Sequence, residues 1–284
     1  MGPPPPLPLA IEHVKKVLAP DFERRAGIVR KRYEGGDPFG FDYEFAEKVL
    51  LVTGLFYRTY FRVEMKGLEN IPSGGAILVA NHSGQLPIDG VMIGTGLMLD
   101  APEPRLIRSM YDKWAAAQPW VNIFLQRVGQ VVGRPENLDL LLDRGEVVLV
   151  FPEGVKGIQK TFQKAYQMSE FGLGFMRLAL AHSCPIVPVA VVGTEEQYPA
   201  VWDAKRLARL VGLESLPIPL QTLLPFMGFM PLPTKYRISM GKPMHFDGDP
   251  DDEDHVVGEK VWVVKHTIQL LLDKALRERR HVFW

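Results

Sequence analysis

The stretch Ala76-Ile77-Leu78-Val79-Ala80-Asn81-His82-Ser83-Gly84-Gln85-Leu86-Pro87-Ile88-Asp89 decides the fold. Its first five residues are a short apolar run of strand length, a turn containing Gly84 and Pro87 follows, and a helix-length segment covers 89 to 99. The same alternation repeats from Glu64 onward. Further apolar runs lie at Arg105 to Arg108, Gln130 to Val132, Val147 to Phe151, Ile186 to Val192 and Tyr236 to Met240. Between them helices are predicted at 113 to 127, 136 to 143, 169 to 182 and 201 to 211. Strands alternating with helices predict an α/β chain, a single domain with a largely parallel central sheet flanked by helices. At Asp249-Pro250 a capping residue precedes a proline at the first helical position, which predicts a long C-terminal helix running to about Arg280.

Upstream of Glu64 the pattern is helical. Met1 to Leu9 is proline-rich and predicts a disordered tail, and residues 10 to 62 predict an N-terminal segment of amphipathic helices. Within 13 to 32 the basic residues Lys15, Lys16, Arg24, Arg25, Arg30, Lys31 and Arg32 face only Asp21 and Glu23. That excess fits an anionic lipid surface or an ordinary solvated face. In Phe41 to Phe61 the apolar residues Phe45, Val49, Val52, Phe56 and Tyr60 predict an amphipathic helix, packed on the body or lying on a membrane.

Composition excludes several classes of function. In 284 residues, 33 basic and 33 acidic side chains cancel, so the field of a nucleic-acid binder is missing. The single cysteine, Cys184, cannot form an internal disulfide, and the N-terminus shows no secretory signal pattern, which together favour cytosolic exposure. The uncharged run Val49 to Tyr57 is far shorter than the ~20 residues that span a bilayer. Ser215 to Thr234 is also uncharged, but its five prolines break any helical ladder, and it reads as an apolar loop. The acids between Asp247 and Asp254 do not fit a calcium loop, because Asp252 and Gly258 stand where glycine and glutamate are needed.

Three motifs carry chemistry. His82 follows a strand's carboxyl end, where ligand crevices of α/β sheets form, and a carboxylate such as Asp89 can hold one ring nitrogen so that the other accepts a proton. Phe151-Pro152-Glu153-Gly154 ends another strand, where glycine lets backbone approach an anion and nearby Lys156 adds positive charge. In Gly129-Gln130-Val131-Val132-Gly133-Arg134 a strand delivers an arginine able to pair with a phosphate or with Glu153. Taken singly, each also fits a turn, a cap or an exposed arginine.

Together with Pro185-Ile186-Val187-Pro188-Val189-Ala190, these blocks resemble, in order and spacing, the glycerol-3-phosphate and lysophospholipid acyltransferase family over roughly residues 60 to 245. The resemblance implies an acyltransferase domain from 63 to 284. It implies His82 as general base, Asp89 as its orienter, and Arg134, Glu153, Gly154 and Lys156 around the acceptor's glycerol-phosphate portion. No metal and no resident cofactor are implied. The donor would be acyl-CoA or acyl carrier protein, and the acceptor a membrane lipid such as 1-acylglycerol-3-phosphate, placing the enzyme peripherally on the cytoplasmic face of a membrane in phospholipid biosynthesis. This chain departs from the pattern in having six residues between His82 and Asp89 where four are usual, Val155-Lys156-Gly157 in place of Thr-Arg-Ser, and a shortened Arg134 block. The departures keep a neutral mono- or diacylglycerol acceptor open. Other classes are a thioester hydrolase and a non-catalytic lipid-binding protein.

Apolar surface adds a membrane expectation. Val49, Leu50, Leu51, Leu55 and Phe56 on the helix, and Leu223, Leu224, Phe226, Met227, Phe229 and Met230 in the proline-rich loop, are candidate contacts.

Overall fold

The computed structural model describes residues 7–82, 87–111, 113–154, 157, 162–204, 217–223 and 230–284. Its centre is a seven-stranded sheet among the described residues, in the order β1 (Glu64–Lys66), β9 (Arg237–Met240), β6 (Ile186–Val192), β2 (Ala76–Ala80), β5 (Val147–Val150), β3 (Ile107–Tyr111), β4 (Val131–Val132). The five strands from β6 to β4 are mutually parallel. β9 runs antiparallel to β6 and carries β1 parallel to itself. This is the largely parallel α/β architecture expected, in one domain.

Both faces of the sheet are covered. Ala76, Leu78 and Ala80 of β2 and Val187, Val189 and Val191 of β6 point into one core, while Ile77 and Val79 with Ile186, Ala190 and Val192 point into the other. The period of two along a strand enforces this division. The first core is closed by α1 (Leu7–Leu18), α2 (Phe22–Arg32), α3 (Tyr43–Leu55) and α4 (Ile88–Leu99). The second is closed by α7 (Pro135–Asp143), α8 (Gly174–Ala181) and α9 (Asp254–Glu278). On α9, Val257, Val261, Val264, Ile268, Leu272 and Ala275 are buried in one stripe, as helical periodicity requires. Between β3 and β4 run α5 (Lys113–Ala117) and α6 (Pro119–Arg127), one predicted helix divided in two because Pro119 cannot continue a hydrogen-bond ladder and opens a new one.

Four expectations are corrected. Ala200–Asp203 is not helical; it forms β7, paired antiparallel with β8 (Pro217–Pro219), and residues 205–211 of the expected helix lie outside the described residues. The Ser215 to Thr234 loop therefore contains a strand, tolerated because a two-stranded ribbon leaves proline's missing N–H on an open edge. A short 3₁₀ turn, Leu220–Leu223, follows it. The C-terminal helix begins at Asp254 instead of Pro250. Asp249 is engaged in a local turn, accepting from the Asp251 N–H at 2.9 Å, and this competes with capping. The first helix begins at Leu7, inside the stretch expected to be a tail.

Candidate active site

Parallel strands deliver their carboxyl ends to one edge of the sheet. β2 leads there into Asn81-His82 and its neighbour β5 into Phe151 to Gly154, so the two motifs meet because their strands pair, Val79 opposite Val150. Asn81, to which the sequence assigns no role of its own, fixes the exit of β2. Its buried amide donates to the Val191 carbonyl at 3.1 Å and accepts from the Val191 N–H at 2.8 Å, prolonging the ladder after the backbone has turned away. The only signal for this was a polar residue directly after five apolar ones.

His82 Nδ1 stands 2.7 Å from Asp89 Oδ2. The six-residue gap does not separate the pair, because the chain leaves β2 and enters α4 with Asp89 in that helix's first turn. Asp89 is fully buried, and its other oxygen accepts from the Gly90 N–H at 2.8 Å. A helix N-terminus stabilises such a carboxylate. The Phe151 ring stacks on His82 with centroids 4.3 Å apart and planes 30° apart, limiting the imidazole's rotation.

Glu153 is buried and spans two backbone segments. Its Oε1 accepts from the His82 N–H at 3.1 Å and its Oε2 from the Ser169 N–H at 2.6 Å. Gly154 occupies the left-handed region at φ 54°, which favours glycine at that turn. Gly157 packs so closely that an added Cβ would lie 2.9 Å from the His82 carbonyl oxygen. Lys156 lies outside the described residues, as do Leu224, Phe226, Met227 and Phe229 of the proline-rich loop.

Arg134 is exposed at the start of α7 and, among the described residues, makes no ion pair with Glu153. Topology is the reason: β4 is two strands from β5, roughly 10 Å at ordinary strand spacing. Among the described residues, no group of three or more His, Cys, Asp or Glu is placed to hold a metal ion. Nor is any described helix long and apolar enough to cross a membrane.

A family model for acyltransferases matches residues 62–192, the span that contains the His82, Arg134 and Glu153 motifs and ends with β6. An uncharacterized protein of Mycobacterium leprae is 38% identical over 277 residues, covering 94% of this chain and 76% of its own length. One of Mycobacterium tuberculosis is 38% identical over 269 residues, covering 91% and 75%. This chain belongs to the acyltransferase family. Membership makes it an acyltransferase. The fold of this acyltransferase is that of the 1-acyl-sn-glycerophosphate (LPA) acyltransferase PlsC from Thermotoga maritima, with a TM-score of 0.52 at 18% identity over 95% of this chain and 99% of the other. A Gallus gallus protein described as a DGAT1/2-independent enzyme synthesizing storage lipids is 25% identical over 190 residues, covering 67% of this chain and 54% of its own.

Cys184 is the acyltransferase's sole thiol, and burial pushes its pKa up to about 11. At pH 7.5 the thiol is then held protonated, the form that does not act as a nucleophile. Maleimide treatment of the native protein at that pH is expected to leave transfer activity unchanged. Inactivation in step with labelling of Cys184 would instead make the thiol a participant.

Proposed function

We propose that the protein transfers a fatty acyl group from acyl-CoA or acyl carrier protein to a hydroxyl of a lysophospholipid such as 1-acylglycerol-3-phosphate. The observation that carries the mechanism is the 2.7 Å contact between His82 Nδ1 and Asp89. With Nδ1 donating to that carboxylate, Nε2 is the ring's basic nitrogen. It takes the acceptor's hydroxyl proton as that oxygen attacks the thioester carbonyl. The new C–O bond forms, the C–S bond breaks, and the proton passes from His82 to the leaving thiolate. No resident cofactor takes part. Asp89 orients the imidazole and stabilises its charged form, while Phe151 and the Glu153 clamp hold it at the strand end.

Acceptor phosphate is assigned to the start of α7, where Arg134 stands exposed at a helix N-terminus, and to Lys156. The name of the vertebrate storage-lipid relatives favours a second reading, a neutral mono- or diacylglycerol acceptor. A panel of glycerol-3-phosphate, lysophospholipids and acylglycerols decides between them. On the phosphate reading Arg134→Ala raises the apparent KM for phosphate-bearing acceptors roughly tenfold or more and changes that for neutral ones little. Equal effects on both would favour the acylglycerol. Fatty acid released at the same rate with and without acceptor would make the protein a hydrolase.

Because its acceptor carries acyl chains, the enzyme on this reading works peripherally at the cytoplasmic face of a membrane.

A further inference from the structure

Helices that cover a sheet turn their apolar side inward, and α6 does the reverse. None of its residues is buried. Trp120, Val121, Ile123 and Phe124 are exposed, Trp120 to 84%. Its polar side faces the protein, where Asn122 Oδ1 accepts from the Tyr111 hydroxyl of β3 at 2.6 Å.

The apolar side continues onto α3. Asp42 at the start of α3 pairs with Arg127 at the end of α6 at 2.7 Å, and Phe45 meets Phe124 edge-on at 5.8 Å. The two helices therefore run antiparallel, so that Val52 and Phe56, both exposed, lie toward the Trp120 end. Leu50 and Leu51, by contrast, pack on the core. The Trp120 end is also the catalytic side, since α5 and α6 carry the chain from the carboxyl end of β3 back to the start of β4. Neither Val49 to Tyr57 nor Ala115 to Gln126 contains a charge.

We propose that the outward face of α6, extended by the α3 stripe, is the surface that enters the interfacial layer of a lipid bilayer. This rests on the reading of the acceptor as a membrane lipid, and assigns the contact to an element that reading does not name. A wide uncharged face led by an exposed indole matches the boundary between headgroups and acyl chains. Its place at the site's end of the sheet brings His82 toward the lipid it would acylate.

The test labels Ile123→Cys with an environment-sensitive nitrobenzoxadiazole dye. Cys184, the chain's other thiol in that variant, is buried, so the dye goes to position 123. With phosphatidylcholine–phosphatidylglycerol vesicles, the emission is expected to rise and shift to the blue, while the same dye at Leu270→Cys on α9 does not respond. Trp120→Ser with Ile123→Ser is expected to lower the co-sedimented fraction roughly tenfold. The double variant should retain turnover on a short-chain, water-soluble acceptor. A silent label at 123, a response at 270 instead, or a shift that follows protein concentration without vesicles would overturn the proposal, the last by showing a second copy on this face. If the label inserts but the wild-type protein acylates no acceptor, the acceptor assignment fails and the docking surface stands.

Discussion

His82→Ala is expected to lower transfer about 10²–10⁴-fold, the usual contribution of a positioned general base, with little change in melting temperature. The reasoning is local. His82 sits past the end of β2 and belongs to neither apolar core, so truncation leaves the packing on both faces of the sheet in place. What holds the strand end is Asn81, whose two bonds to Val191 survive the substitution. Asp89→Asn should lose much of the same factor, because an amide can occupy the position but cannot stabilise the imidazolium formed when the acceptor's proton arrives. The measurement is kcat and KM with purified protein, alongside thermal unfolding. Near-normal turnover by folded His82→Ala would end the mechanism. A rise in KM alone would point to a binding role for the ring.

The parts of this site that could be read in the sequence were those written in short apolar runs and in residues directly attached to them. β2 and β6 have the predicted bounds because strands buried on both faces are uninterrupted by polar residues. His82, Asp89 and Glu153 stand out in the sequence because their motifs sit at strand ends, and a parallel sheet gathers those ends on one edge. Residues 83–86 lie outside the described residues, and the segments on either side bring His82 and Asp89 within 2.7 Å.

Other features depend on partners far away in sequence. Periodicity found a helix near 113 to 127 but carries no sign for inward or outward, so the inverted face of α6 was invisible until Tyr111 was seen to hold its polar side. Asp249-Pro250 looked like a helix start because a cap and a turn use the same residue types. The ribbon at Ala200–Asp203 depends on β8 as its partner, which local propensity does not encode.

Arg108 is the largest such case, and it carries the second strong expectation. In sequence it only closes the run Arg105 to Arg108. In the fold it is fully buried on β3, paired with Asp37 at 2.8 Å from the loop between α2 and α3. Asp37 also accepts from the N–H groups of Phe39 and Phe41 at 3.1 and 3.0 Å, so one carboxylate both folds that loop and docks it. The guanidinium lies 5.4 Å from the Phe39 ring and 5.9 Å from the Tyr33 ring, within cation–π range, while its Nε and Nη1 have no hydrogen-bond partner among the described residues. Removing Asp37 alone would strand a buried cation. Asp37→Ala is therefore expected to cost about 3–5 kcal/mol, seen as a melting temperature lower by roughly 10 °C. Arg108→Met, which removes the charge and keeps an apolar chain in its place, should cost less, and Asp37→Ala combined with Arg108→Met should recover much of the loss, since desolvating the pair offsets its attraction. Additive losses in the double variant would mean that the two side chains act separately. The pair matters beyond stability because the loop it docks leads into α3, whose exposed stripe adjoins α6. Loosening that loop frees the membrane-facing helices from the sheet that carries His82. Asp37→Ala is thus expected to depress turnover on vesicles more than turnover on a soluble acceptor, at a temperature where it remains folded.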